Sequence, residues 1–354
     1  MDVQAANPWR LCVAPMMDWT DPHCRYFHRL LAPHARLYTE MVTAAALVRG
    51  ERTHLLAHNR EEHPVALQLG GADPAELAQA ARYGEQAGYD EINLNVGCPS
   101  DRVQSGRFGA CLMREPGLVA DCVRAMRAAV QVPVTVKCRI GVDDQDDDAD
   151  LFAFAARMVD AGVRVLVVHA RKAWLQGLSP KQNREVPPLN YPRVYRLKHE
   201  FPELVVAING GLDGWPAVRE HLRHVDGAML GRLAYHDPYA LARVDAALFG
   251  GTEPAREAVL RRMRPYVEAE CARGVRLAAI TRHVLGLFHG EPGGKAFRRV
   301  LSERAQAPDA DWEAVEAALQ RVKGEVVPLR RTVKGKEKER NRAADGSHSL
   351  QRTK

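Results

Sequence analysis

The sequence predicts an α/β chain, a parallel (β/α)8 barrel followed by a small all-α C-terminal domain. Three observations carry this. Eight short apolar, β-branched runs recur over about 230 residues. Amphipathic segments with apolar residues at helical spacing lie between most of them. The strand signal stops after about Tyr235, and only helical patterning follows. Parallel strands need long right-handed crossovers, and eight of them in this length favour a closed barrel over an open doubly wound sheet. No G-x-G-x-x-G follows the first run, which counts against a dinucleotide-binding fold.

In order, the predicted strands are Leu11–Met17, Leu37–Val42, Pro64–Gly70, Glu91–Val96, Pro133–Ile140, Val163–Ala170, Leu204–Asn209 and Asp226–Leu230. Pro74–Gly88 and Pro116–Val130 read as crossover helices; Asp73-Pro74 opens the first and Gly88 closes it. Beyond Tyr235 the stretches ALARVDAALF, AREAVLRRMRPYVEAECA, VRLAAITRHVLGLF and WEAVEAALQRV read as helices. From about Leu329 the chain is polar and without periodicity, and is expected to be disordered. The expected organisation is a barrel over 1–238, a helical domain over 239–327 and a basic tail over 328–354.

Composition narrows the classes. Of 354 residues, 46% are hydrophobic and 27% charged, as in soluble globular proteins. No apolar run approaches the roughly 20 residues of a membrane span, and MDVQAANPWR has neither a basic start nor an apolar core of a secretory signal. A cytoplasmic location, with no membrane partner, is expected. Seven cysteines without a C-x-x-C pair argue against a disulfide framework and a structural metal. The acidic run Asp143–Asp150 lacks the glycine and terminal glutamate of a calcium loop. Charge is uneven: residues 1–240 carry −2, residues 241–330 carry +3 and the last 24 carry +5. A near-neutral body with a basic final third points to a polyanionic partner.

Barrels of this kind build their active sites at the C-terminal ends of the strands. The candidates there are Met16, Met17 and Asp18; Gln68 with Gly70-Gly71; Asn95 with the Gly97-Cys98-Pro99 turn; Lys137 and Arg139; His169 and Arg171; Asn209-Gly210-Gly211; and Gly231-Arg232. Small residues after strands seven and eight suit a phosphate held on backbone N–H groups, with Arg232 and His169 as countercharge. Taken singly, an inward Gln68 or Asn95 is also explained as a satisfied core amide, and His169 as a structural residue. Lys137 is different, because a lysine in VTVKCRI is costly to bury without an anion.

These residues carry a resemblance. APMMDWTD (14–21), QLGG (68–71), NLNVGCPSDRVQSGRFGACLM (93–113), VKCRIG (136–141), VHARKAWLQGLSPKQNREVPPL (168–189), NGG (209–211) and MLGR (229–232) resemble, in order, the tRNA-dihydrouridine synthases, flavin enzymes of the TIM-barrel class. The HARKAW…VPPL insert most resembles the subfamily acting on positions 20 and 20a of the D-loop. The resemblance implies reduction of the uridine C5=C6 bond, with FMN as cofactor, NADPH as electron donor and hydride from flavin N5. It implies that Pro15, Met16 and Met17 pack on the flavin, that Gln68 bonds its pyrimidine edge and that Lys137 sits at its N1/O2 end. Arg139 and His169 fall at the cofactor as well. Asn209, Gly210, Gly211, Gly231 and Arg232 hold its phosphate. Cys98 matches the proton donor and Asn95 the residue that orients the uracil. Lys181, Arg184, Arg298 and Arg299 match positions touching the tRNA, near its elbow. The protein is expected to act as a monomer.

The residue types suit that chemistry. A thiol stays mostly protonated at neutral pH and can donate a proton where a carboxylic acid cannot. Two rivals exist: a flavin barrel reducing a small molecule, and a silent RNA-binding barrel. The basic helical third argues against the first, and the intact Cys98 and Lys137 against the second.

Overall fold

The structure, a computed structural model, describes residues 7–100, 106–145 and 148–322. The predicted basic tail lies outside the described residues, as do parts of the loop after Cys98 and of the acidic run.

Eight strands form the barrel: β1 (Leu11–Val13), β2 (Leu37–Thr43), β3 (Val65–Gly70), β4 (Glu91–Val96), β5 (Val134–Arg139), β6 (Val165–His169), β7 (Val205–Asn209) and β8 (Gly227–Leu230). All neighbouring pairs are parallel, in the order β1-β8-β7-β6-β5-β4-β3-β2. A parallel bridge from Cys12 to Arg36 joins the two ends: Val13 N–H donates to Arg36 O at 2.9 Å, and Arg36 N–H to Leu11 O at 2.9 Å. The first strand is shorter than predicted. Pro15 has no N–H to give a ladder, and Met16–Thr20 closes as a turn, with Thr20 N–H donating to Met16 O at 2.9 Å.

The helices that follow the strands are α1 (Pro22–Leu31), α2 (Ala44–Arg49), α3 (Pro74–Gln86), α4 (Pro116–Ala129), α5 (Asp148–Asp160), α6 (Tyr191–Glu200), α7 (Trp215–His221) and, after the last, α8 (Arg232–His236). Asp73 caps α3 by accepting from Glu76 N–H, in the place the sequence marks. Alternate positions of the strands, such as Leu67, Leu69 and Val136, pack outward against these helices as the main core. The interior is filled by a smaller set, Cys12, Ala14, Tyr38, Ala66, Val167, Ala207 and Met229.

Six helices follow: α9 (Pro238–Phe249), α10 (Arg256–Arg262), α11 (Arg264–Ala272), α12 (Leu277–Thr281), α13 (Gly294–Arg304) and α14 (Trp312–Val322). Three features differ from the sequence reading. The predicted helix through 255–272 is two helices, since Pro265 removes a donor and the chain breaks at Met263. The stretch through 275–288 is helical only over Leu277–Thr281. Helix α13 was not expected, its opening Gly293-Gly294 having hidden it. The helices share a second core with Phe27, Leu30 and Leu31 of α1. Helix α9 serves both cores, with Leu241 and Val244 on the barrel and Tyr239 and Ala242 on the helices. The expected boundary at 238/239 falls at its start.

Candidate active site

The site is built from strand register. Residues paired across parallel strands point to the same face, and the pairs Gln68–Asn93, Asn95–Lys137, Arg139–His169 and His169–Asn209 run around the inner wall. The alternation E-x-N-x-N on β4 therefore sends Glu91, Asn93 and Asn95 up the interior, from floor to mouth.

Cys98 sits just past β4, partly exposed, in a turn tied by one side chain. Asn95 Oδ1 accepts from the N–H groups of Gly97 and Cys98, each at 3.0 Å. The Cys98 thiol approaches Ser100 Oγ at 3.5 Å. Arg139, expected at the cofactor, lies on the inner wall beside His169. Its buried guanidinium donates to the carbonyls of Gly97 (3.1 Å), Lys172 (3.1 Å) and Asn183 (2.9 Å). A guanidinium with several fixed donors is suited to such a tie, and it locks the Cys98 turn to the segment after β6.

Lys137 lies beside Asn95, half-buried, with no acid or hydrogen-bond partner among the described residues. Burial lowers its pKa to about 8, with Arg139 adding repulsion. His169 is held well below its ordinary value by burial and by Arg139, Lys137, Arg171 and Arg184. Its ring is therefore a neutral imidazole at physiological pH. The mouth holds an excess of cations, and a neutral ring surrounded by cations marks a place for an anion.

Glycine is required at the end of β7. Gly210 has φ +106, and a Cβ there would meet the His169 ring at 2.6 Å. Beside Gly231, by contrast, a Cβ would touch nothing closer than 3.9 Å, so open space faces its backbone. Among the described residues the N–H groups of Gly231 and Arg232 have no backbone partner. Asn209 is positioned by donating to Met229 O at 2.8 Å. Arg232, the expected countercharge, is ion-paired with Glu185 at 2.6 Å. Arg171, whose Nε is buried without a partner among the described residues, is a second guanidinium on that side.

Of the other predicted residues, Pro15 and Met16 are partly buried at the end of β1, and Met17 is 53% exposed. Gln68 is buried, donating to Asn93 Oδ1 and accepting from Asn95 Nδ2, both at 2.8 Å. Lys181 and Arg184 are exposed on the segment after β6. Arg298 and Arg299 lie far along the chain on α13, the first partly buried and the second exposed, and neither has an ion pair among the described residues. Residue-by-residue reading missed Glu91, Asn93 and Thr135, although the period-two polar pattern of EINLN carried the signal for the first two. Among the described residues no three His, Cys, Asp or Glu could hold a metal, and no helix is long and apolar enough to cross a membrane.

The sequence profile of the family described as Dihydrouridine synthase (Dus) matches residues 12–323. The chain belongs to the dihydrouridine synthase family. It is thus an enzyme, an oxidoreductase acting on a CH–CH bond. Among dihydrouridine synthases it is 63% identical to the tRNA-dihydrouridine(20/20a) synthase of Xanthomonas campestris pv. campestris, over 89% of this chain and 94% of that one. It is 56% identical to the protein of the same name from Vibrio cholerae, over 88% and 96%. With that of Salmonella typhimurium it shares 57%, over 90% and 96%. Morphinone reductase is a distant structural neighbour of this dihydrouridine synthase, at TM-score 0.48 and 13% identity over 70% of this chain and 87% of that one.

Proposed function

We propose that the chain reduces the C5=C6 bond of uridines 20 and 20a in the D-loop of tRNA to 5,6-dihydrouridine, with FMN as cofactor and NADPH as electron donor. The relatives' names support the substrate. The observation that carries the chemistry is a partly exposed thiol in a turn held by Asn95, whose strand neighbour Lys137 has no partner among the described residues.

The residues fit FMN. Lys137 offers a cation with no acid paired to it among the described residues, the space beside Gly231 is open to a phosphate, and Asn209, Gly210 and Gly211 line the same end. Pro15, Met16 and the exposed Met17 give an apolar edge for the ring. Gln68 keeps one amide proton for the pyrimidine edge. His169, neutral, packs at that end without adding charge. Arg139 acts through the Cys98 turn, and Arg232 reaches a phosphate by exchanging Glu185.

When bound, the flavin supplies the hydride to one carbon of the uracil. Cys98 gives its thiol proton to the other carbon and regains one from solvent once product leaves. Asn95 orients the ring and holds the thiol, its Oδ1 spent on the turn and one Nδ2 proton left for the substrate. Lys181 and Arg184 at the mouth, with Arg298 and Arg299 on α13, hold phosphates near the tRNA elbow. We divide the chain into a barrel to 238 and a helical tRNA-binding part from 239, and place it in the cytoplasm as a monomer.

The test incubates purified protein, FMN and NADPH with an unmodified tRNA transcript and maps the uridines that gain two hydrogens by mass spectrometry. Gains at 20 and 20a are expected. A transcript that gains none overturns the proposal.

A further inference from the structure

We infer that Glu91, on the floor of the barrel, is a positioning residue that sets which way Asn95 and the Cys98 turn face at the mouth. The inference rests on reading Cys98 as the proton donor.

A single file of hydrogen bonds joins the two ends of the barrel. Cys98 N–H donates to Asn95 Oδ1 (3.0 Å), Asn95 Nδ2 to Gln68 Oε1 (2.8 Å), and Gln68 Nε2 to Asn93 Oδ1 (2.8 Å). Asn93 Nδ2 then donates to Thr135 Oγ1 (2.8 Å), whose hydroxyl donates to Glu91 Oε1. Each of Glu91, Asn93, Thr135 and Gln68 is no more than 1% exposed, and Asn95 is 8% exposed. Water is thus poorly placed to repair a fault in the file.

Both ends dictate the same polarity. At the mouth, two backbone N–H groups can only donate, so Asn95 must present its oxygen to them. At the floor, Glu91 Oε2 accepts from Trp9 Nε1 at 2.8 Å and pairs with Arg36 NH1 at 3.2 Å. Tyr38 OH donates to Glu91 Oε1 at 2.8 Å. Surrounded by donors, that carboxylate can only accept, so Thr135 must donate to it. Three amides that could each flip are held in one orientation by fixed ends. Were the file reversed, Asn95 would turn its NH2 onto the Gly97 and Cys98 N–H groups, and the turn carrying the thiol would be released.

Glu91→Gln replaces the acceptor with a group whose NH2 must face either Trp9 and Arg36 or Tyr38 and Thr135. The second arrangement makes Thr135 accept from residue 91 and leaves its hydroxyl proton without an acceptor, which favours Asn93 turning its oxygen to Thr135 and carrying the reversal up to Asn95. Thr135→Val, of nearly the same shape, cuts the file without touching the floor charge, so the inference stays testable should Glu91→Gln fold poorly. Thr135→Ser keeps the hydroxyl.

The experiment compares the full-length protein and these variants by two readouts. One is kcat and KM for tRNA transcript with FMN and NADPH. The other is the iodoacetamide alkylation rate of Cys98, read by peptide mass spectrometry against Cys111 in the same chain. Glu91→Gln and Thr135→Val are expected to lower kcat on the order of 10- to 100-fold at unchanged KM, and to change the Cys98 rate relative to Cys111. Thr135→Ser is expected to rescue both. Folded variants with wild-type kcat and wild-type Cys98 alkylation would overturn the inference. Should wild-type protein reduce no transcript, the functional reading fails on its own, and the alkylation arm still decides whether Glu91 holds the turn.

Discussion

Lys137 carries its charge into the barrel mouth with no acid paired to it among the described residues, and burial lowers its pKa from 10.5 to about 8. Below about pH 8 the ammonium is charged in both folded and unfolded chains, and the desolvation cost stands in full. Between about pH 8 and pH 10.5 the unfolded chain keeps a proton that the folded chain has released, so stability rises with pH in that window. Denaturant titrations of cofactor-free protein should show this rise, on the order of 3 kcal/mol at most. Lys137→Met should flatten it, and anion binding at the mouth should weaken as pH passes about 8. Cys98 makes a separate prediction. Cys98→Ala should keep its flavin and still accept electrons from NADPH, because the thiol does not hold the cofactor in this reading. Its single-turnover reduction of tRNA should fall on the order of 100-fold or more, and a normal yield would return Cys98 to a structural role.

At the scale of the element, helix α1 ties the barrel to the helices behind it. Asp21 caps α1 by accepting from Cys24 N–H at 2.9 Å and meets His283 Nε2 at 3.0 Å and Arg282 NH2 at 2.6 Å. Burial disfavours its charge, yet His283, the Cys24 N–H and Arg282 together hold its carboxyl well below the usual carboxylate range. A depressed folded pKa contributes stability at neutral pH that is lost as pH falls through the folded value. Asp21→Ala should cost about 3 kcal/mol at pH 7, a lost cap plus a broken, largely buried pair. The gap from wild type, measured by denaturant midpoint, should narrow in acid. An equal midpoint at neutral pH would mean that the α1 contact with the residues after α12 holds nothing.

Across the whole molecule the basic residues are divided by their partners. Arg256, Arg261 and Arg264 are matched by Glu291, Glu257 and Glu268, whereas Arg298 and Arg299 have no such match among the described residues. A uridine must leave its stack to be reduced, and backbone contacts elsewhere must offset that cost of a few kcal/mol. Replacing Arg298 and Arg299 by Ala should raise the tRNA Kd and lower the salt slope by roughly one per lost phosphate contact. Flavin content and flavin reduction should not change. Binding measured across a salt series decides this, and an unchanged slope would leave the grip to Lys181, Arg184 and the rim.

Strand count, crossover helices, the mouth residues and the family were legible in the chain itself, because hydrophobic period and glycine placement are local properties of sequence. So was the oddity of Lys137, since no partner has to be known for an apolar strand to make a lysine expensive. Three things were decided by tertiary structure. Arg139 found three carbonyls, each more than 30 residues away, which no local pattern announces. Arg232 acquired Glu185 from the insert after β6. Glu91, Asn93 and Thr135 became one file with Gln68 and Asn95 only when β3, β4 and β5 were laid side by side in register. A strand's period says which face a side chain takes; which hydrogen bond it completes there depends on the stagger of its neighbours, and closure of the barrel fixes that.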